Sequence, residues 1–256
     1  MLKNEPTLLL SMGYDSLPAW FALGKPQAVY VSAGVVYSHP EIRRFEELRR
    51  RYPEAAERLH LHTSLEWLGR VEIGETSFVP LRNALMTMVV WAMGADDVIL
   101  AAATDYGPDK RLAFTLALGL AGRIAMGPRG GRHLQGTRGR LRLRRPFLWK
   151  TKDEMLRLAR AREGSWDWLD LAYACYVGTE PPCGTCRCCR RAMVGLAAAG
   201  APPPHRSLVL PRMSLLETLR FMPNALDFKG TRPTLPELAF LPLRSAMAFR
   251  AWRNTR

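Results

Sequence analysis

The chain has 256 residues, 48% of them apolar, and a net charge of +14. That is enough length and apolar content for one large domain, or a domain with an appendage, and it excludes a fibrous or low-complexity protein. No run reaches the roughly 18 apolar residues of a membrane helix, and the N-terminal run Leu8-Leu9-Leu10 is too short for a secretory signal, so a soluble cytoplasmic protein is expected. The positive balance has two readings: anionic partners such as nucleotides, phosphates or nucleic acid, or an arginine-biased, solvated surface.

In chain order, Thr7 to Leu10 reads as a short buried strand. It runs into Ser11-Met12-Gly13-Tyr14-Asp15-Ser16 and then a helix from Leu17, with Pro18 near the first turn, where proline is tolerated. Gln27 to Ser32 predicts a second strand, and His39 to Leu59 a charged helix with Phe45, Leu48 and Tyr52 as its apolar stripe. Leu59 to Thr63 predicts a short strand. Asn83 to Met93 is apolar almost all round, which predicts a buried helix. Asp97 to Ala102 predicts another strand, and Arg111 to Leu120 another apolar helix. This alternation predicts a layered α/β fold with a mainly parallel sheet, whose doubly buried strands read as continuous apolar runs. Arg129 to Arg145 holds seven arginines and ends in Leu141-Arg142-Leu143-Arg144, an alternation that suits an edge strand with its arginines toward water. Thr151-Lys152-Asp153-Glu154 is a capping-box pattern opening a helix up to Arg162. A cysteine-rich segment follows, then a proline-rich linker (Pro202 to Pro204) and about fifty residues without a clear period. In that tail the apolar stretch Leu238 to Phe249 is either an interface or packs on the chain's own core.

Two places carry chemistry. The turn Ser11 to Ser16 lies between a strand and a helix, and the unpaired amides of a helix N-terminus attract anions. Gly13 lets the backbone approach a phosphate, Ser11 and Ser16 can donate hydroxyl hydrogen bonds, and Asp15 can hold Mg²⁺ or cap the helix. The spacing is not that of a Walker loop, and an ordinary turn capped by Asp15 or Ser16 also accounts for it. The second place is the cysteines. Cys175, Cys183, Cys186, Cys188 and Cys189 all lie within fifteen residues. A disulfide framework closes longer loops, so this crowding points to a metal. Cys175, Cys183, Cys186 and Cys189 can close a tetrahedral zinc site, with Gly184 permitting a tight turn. Cys188 could replace Cys189, although the C-x2-C-x2-C spacing favours Cys189. An iron–sulfur cluster also takes four cysteines, but nothing else in the chain suggests electron transfer. A closed zinc site leaves no open position for catalysis, so it names a metal and not a reaction.

With both features in hand, the chain resembles the 7-cyano-7-deazaguanine (preQ0) synthase family, PP-loop enzymes of the queuosine and 7-deazaguanine pathway. The family's S-G-G-x-D-S loop is similar to Ser11-Met12-Gly13-Tyr14-Asp15-Ser16, and its V-P-G-R-N segment to Val79-Pro80-Leu81-Arg82-Asn83. Its D-Y-S-G-Y-P-D-C-R segment resembles Asp105-Tyr106-Gly107-Pro108-Asp109-Lys110-Arg111, shortened by two residues. Its T-P-L-x-W-x-x-K motif resembles Arg145-Pro146-Phe147-Leu148-Trp149-Lys150-Thr151-Lys152. Its zinc segment matches Cys175-Tyr176-Val177-Gly178 and Cys183 to Cys189.

The resemblance implies a three-layer PP-loop fold of the adenine-nucleotide alpha-hydrolase type. It implies a division into an ATP-binding α/β domain (1–170), a zinc-binding segment packed on it (171–200) and a C-terminal extension (201–256). It implies that ATP is held by Leu10, Ser11, Met12, Gly13, Tyr14, Asp15, Ser16, Arg82 and Asn83, and that Asp15, Arg82, Asp109 and Arg111 form the catalytic set, with Lys110 as a further phosphate or carboxylate donor. ATP, Mg²⁺ and Zn²⁺ are the expected cofactors, and 7-carboxy-7-deazaguanine and ammonia the expected partners. The chain also departs from the family: Met12 stands at a loop glycine, the Asp105 to Arg111 loop is short, and a tail follows Gly200. Those departures leave open an enzyme that stops at the amide or adenylates another carboxylate, as in phage DNA modification or an antiviral operon. A tRNA-modifying PP-loop enzyme using the Arg129 to Arg145 run and a non-catalytic zinc-bearing binding protein are the rival readings. A homodimer is left open; a membrane partner is not expected.

Overall fold

The computed structural model describes residues 2, 5–72, 79, 81–102, 112–133, 141–210, 212, 214 and 241–255. Five short strands form one sheet: β1 (Thr7–Leu9), β2 (Ala28–Val31), β3 (Leu59–His62), β4 (Asp97–Leu100) and β5 (Arg142–Arg144). Their order is β3-β2-β1-β4-β5, and every neighbouring pair is parallel. Helices cover the sheet in a three-layer α/β arrangement, the expected fold class. They are α1 (Ser16–Ala22), α2 (Ser38–Arg51), α3 (Arg82–Ala92), α4 (Leu112–His133), α5 (Lys152–Glu163), α6 (Arg187–Ala199) and α7 (Leu241–Asn254).

The strands are apolar runs because both faces of the central strands are covered. Every residue of β1 and β2 is buried. At the buried start of β1, the Gln27 side-chain amide donates to Thr7 Oγ1 at 2.7 Å. That pairing satisfies two polar groups where water cannot reach. Strand β5 is one edge of the sheet, and Arg142 and Arg144 on it are exposed as its alternation predicts. Arg144 Nε donates to Asp97 Oδ1 at 2.7 Å, tying the edge to β4.

The elements differ from the sequence reading mainly in their ends. The charged helix after β2 stops at Arg51, and Pro53–Arg58 continues as a 3₁₀ turn. Pro53 explains the break, since the residue before a proline is driven out of the α region. Helix α3 is buried on its Ala84, Met86, Val90 and Trp91 faces, but Met88 is exposed, so the helix is not enclosed all round. Helix α4 runs on to His133, well past Leu120, where its apolar stripe ceases to be legible.

One side of the fold is a stack of helices. α5 packs on α1, α6 on α5 and α7 on α6. Met247, Ala248 and Ala251 of α7 are buried in the common core, so this apolar tail helix packs on its own chain. An ion-paired network holds it there. The wholly buried Asp153 accepts from Arg250 Nη2 at 3.2 Å, has Arg250 Nε 2.8 Å away as an ion pair, and is also paired with Arg157. Asn254 donates to the carbonyls of Ala197 and Ala198, which end α6. No helix among the described residues is long and apolar enough to cross a membrane.

Candidate active site and metal centre

The chain leaves β1 for β2 and β3 on one side, then crosses back to β4 and β5 on the other. That reversal opens a crevice beyond the C-terminal ends of β1 and β4, the place where open α/β sheets bind ligands. A cleft lies there. Its walls include Ser11, Gly13, Asp15 and Ser16 after β1, Ala101 and Ala102 after β4, and Arg82 and Asn83 at the start of α3.

The loop after β1 is held from several sides. Ser16 Oγ accepts from the Ser11 amide at 2.9 Å and lies 3.0 Å from Ser11 Oγ. The Met12 carbonyl accepts from the Tyr173 amide at 2.8 Å. Met12 has φ of 52° and is wholly buried, so the left-handed backbone of the loop is real and a large side chain fills the space beneath it. At Gly13 a Cβ would meet nothing closer than Ser11 Oγ at 3.6 Å. The Ser11 and Tyr173 carbonyl oxygens follow at 3.9 Å, so a Cβ there would make ordinary contacts, and Gly13 lines the cleft. Tyr14 points its ring into the core. Asp15 is ion-paired with Lys152, the first residue of α5, from 137 positions away. The Lys152 stem passes over Gly195 of α6, where a Cβ would meet it at 2.7 Å.

Across the cleft, Arg82 donates to the Tyr37 hydroxyl, and the rings of Tyr37 and Tyr176 lie 5.5 Å apart. Glu41, in the first turn of α2, lines the same cleft and accepts from the Tyr30 hydroxyl at 2.8 Å. Burial pushes the Glu41 carboxyl up to about 8, against the opposing pull of the Tyr30 hydrogen bond and the Arg82 charge. Of the expected catalytic residues, Asp15 and Arg82 come to one cleft with Ser11, Gly13, Ser16 and Asn83. Asp109 and Arg111, with Lys110, lie outside the described residues. Sequence reasoning passed over Lys152 and Glu41 as site residues. Lys152 carried a signal, as the last position of the T-P-L-x-W-x-x-K-like motif; Glu41 carried none, being one carboxylate among several on a charged helix.

The cysteines gather beside this cleft. The sulfurs of Cys175, Cys183, Cys186 and Cys189 all lie within 4.8 Å of one another. A regular tetrahedron with zinc–sulfur bonds of about 2.3 Å has edges of about 3.8 Å. The Cys183 and Cys189 sulfurs are 3.9 Å apart, so the set fits zinc. Amide donors point at the sulfurs as thiolate ligands require: Cys183 N to Cys175 Sγ at 3.4 Å, Cys186 N to Cys183 Sγ at 3.3 Å and Cys189 N to Cys186 Sγ at 3.5 Å. The hydrogen bond between Cys189 and Cys186 lowers the Cys186 thiol and raises that of Cys189, the two sharing one proton. Gly184 has φ of 72° and lies against the Ser207 carbonyl, so the turn admits no side chain. Cys188 is outside the four and lines the cleft instead; burial pushes its thiol up to about 12.

The protein-family comparison matches residues 57–200 to the model described as queuosine biosynthesis protein QueC. No curated protein and no solved structure matches the chain. The matched span is more than half of the chain and contains Arg82, Lys152 and all four clustered cysteines, while the Ser11 to Ser16 loop and α7 lie outside it. By that match the chain belongs to the QueC family of queuosine biosynthesis proteins.

Proposed function

We propose that the chain is an ATP-dependent carbon–nitrogen ligase that converts 7-carboxy-7-deazaguanine and ammonia into 7-cyano-7-deazaguanine. The supporting observation is the convergence of the loop after β1 with Lys152 of the family-matched span in one cleft, beside a closed four-cysteine site.

The substrate carboxylate attacks the α-phosphorus of ATP and pyrophosphate leaves. Ammonia then attacks the acyl carbon and displaces AMP, giving the amide. The amide oxygen attacks a second ATP, pyrophosphate leaves again, and loss of AMP with two protons gives the nitrile. No protein nucleophile is needed, so the residues bind, orient and neutralise charge. In this reading Leu10 to Ser16 hold ATP together with Arg82 and Asn83. The hydroxyls of Ser11 and Ser16 and the backbone at Gly13 receive phosphate. Lys152 supplies positive charge next to them. Asp15 would hold Mg²⁺, which when bound neutralises phosphate charge. Arg82 meets the substrate carboxylate or a phosphate, and Asp109 and Arg111 complete the catalytic set. Cys175, Cys183, Cys186 and Cys189 would hold Zn²⁺, whose contribution is to fix the wall of the cleft rather than to react.

The test is incubation of the purified protein with ATP, Mg²⁺, ammonia and 7-carboxy-7-deazaguanine. AMP release that depends on the carboxylate, with the nitrile appearing by mass spectrometry, is the expected result. Accumulation of the amide alone restricts the reaction to its first half. Absence of carboxylate-dependent AMP, with salt-sensitive RNA binding in its place, overturns the proposal in favour of a nucleic-acid role.

A further inference from the structure

We propose that Glu41 is the specificity residue of this cleft, reading the adjacent ring N–H and exocyclic amine of a 2-amino lactam heterocycle. The proposal rests on the deazaguanine reading above and goes beyond it by naming the group that recognises the base.

Three observations carry it. First, Glu41 is divided between structure and cleft. Its Oε2 is held by the Tyr30 hydroxyl at 2.8 Å, while among the described residues no donor satisfies Oε1. A carboxylate in a cleft with one oxygen tethered and the other unspent is oriented for a ligand, because rotation about its terminal bond would break the Tyr30 bond. Second, the surroundings are aromatic. Tyr30 stands behind Glu41, and Tyr37 and Tyr176, tilted by 39°, line the same cleft as a wall for a planar ring. Third, the desolvated site penalises the carboxylate's charge, and the groups facing it are Tyr30 from β2, Tyr37 from the loop before α2, Arg82 from α3 and Tyr173. Arg82, the nearby cation, already donates to Tyr37.

A ligand that brings N–H donors to Oε1 supplies what the protein does not. A 2-amino lactam edge is donor beside donor; by bringing two N–H donors to Glu41 it favours the charged carboxylate that burial alone disfavours. The adenine edge is donor beside acceptor, and its ring nitrogen would face the carboxylate lone pairs. The same chemistry therefore separates the base of the carboxylate substrate from the base of ATP in one cleft.

Binding separates this proposal from the catalytic one, because it needs no turnover. Titration calorimetry on the zinc-loaded protein would compare 7-deazaguanine with 7-deazahypoxanthine, which lacks only the exocyclic amine. The expected preference of the native protein for 7-deazaguanine is about tenfold or more, the scale of a paired polar readout. The variant Glu41→Gln, checked for fold by circular dichroism and zinc content, is expected to bind both alike while its ATP affinity stays within about twofold, since a uniform change would signal general damage. The native-protein comparison stands even if the variant does not fold. Equal binding of the two heterocycles by the native protein, a preference that survives in the variant, or a loss confined to ATP would each overturn the proposal. Failure of AMP release with intact selective binding would instead count against the ligase reading alone.

Discussion

At Met12 two residue-scale effects oppose each other. Its φ of 52° lies in the left-handed region, which costs a side-chain-bearing residue roughly 1–2 kcal/mol. Its side chain is wholly buried among the core residues behind the loop. Truncating a buried methionine costs roughly 2–5 kcal/mol. Burial therefore outweighs strain, and Met12→Gly, although it restores the residue of the family loop, is expected to destabilise the protein by about 2 kcal/mol. A lowered denaturant midpoint at unchanged slope is the measurement; a raised midpoint would mean that strain dominates. The left-handed turn was legible in the sequence from the loop's resemblance, but the compensating burial was not, because it depends on which residues the fold brings beneath the loop. Glu41 shows the same limit. Among Glu41, Glu46 and Glu47 on α2, only the placement of Tyr30 on β2 marks Glu41 as the one turned to the cleft.

At the scale of elements, the first turn of α5 joins three parts of the fold. Thr151 opens the helix with its amide bonded to Glu154 Oε2 at 2.8 Å, the capping box legible in the sequence. Lys152 reaches the loop after β1, and Asp153 turns inward to Arg157 and to Arg250 of α7. The partnership with α7 was not legible, since it links residues 97 positions apart through a segment with no readable period. Removing Arg250 leaves a wholly buried carboxylate with one cation in place of two. Breaking such pairs costs roughly 3–5 kcal/mol, and the surviving Arg157 puts Arg250→Ala near the lower end, about 3 kcal/mol. Thermal unfolding reads it directly. A loss well under 1 kcal/mol would mean that Arg157 alone satisfies Asp153 and that α7 is held by its apolar face.

At the scale of the whole molecule, the four-cysteine segment and the cleft are one construction. The strands were legible as apolar runs and the cysteine cluster as a spacing, yet the meeting of loop and cysteines was not, because the two are far apart in the chain. The Tyr173 amide holds the Met12 carbonyl, two residues before Cys175, and α6, capped by Cys186, contributes Cys188 and Arg191 to the cleft. A metal that fixes Cys175, Cys183, Cys186 and Cys189 therefore also fixes the wall opposite the loop. Two variants separate the metal from the neighbouring thiol. Cys189→Ser is expected to lose zinc, lower the unfolding temperature and weaken ATP binding together, because structural zinc contributes folding energy outright. Cys188→Ser is expected to keep one zinc per chain and an unchanged unfolding temperature, since its sulfur is outside the tetrahedral set. Metal analysis with a thermal scan distinguishes them. Zinc lost from Cys188→Ser and kept in Cys189→Ser would reverse the ligand assignment. Zinc lost from Cys189→Ser with ATP binding intact would mean that the cleft stands without its metal-held wall.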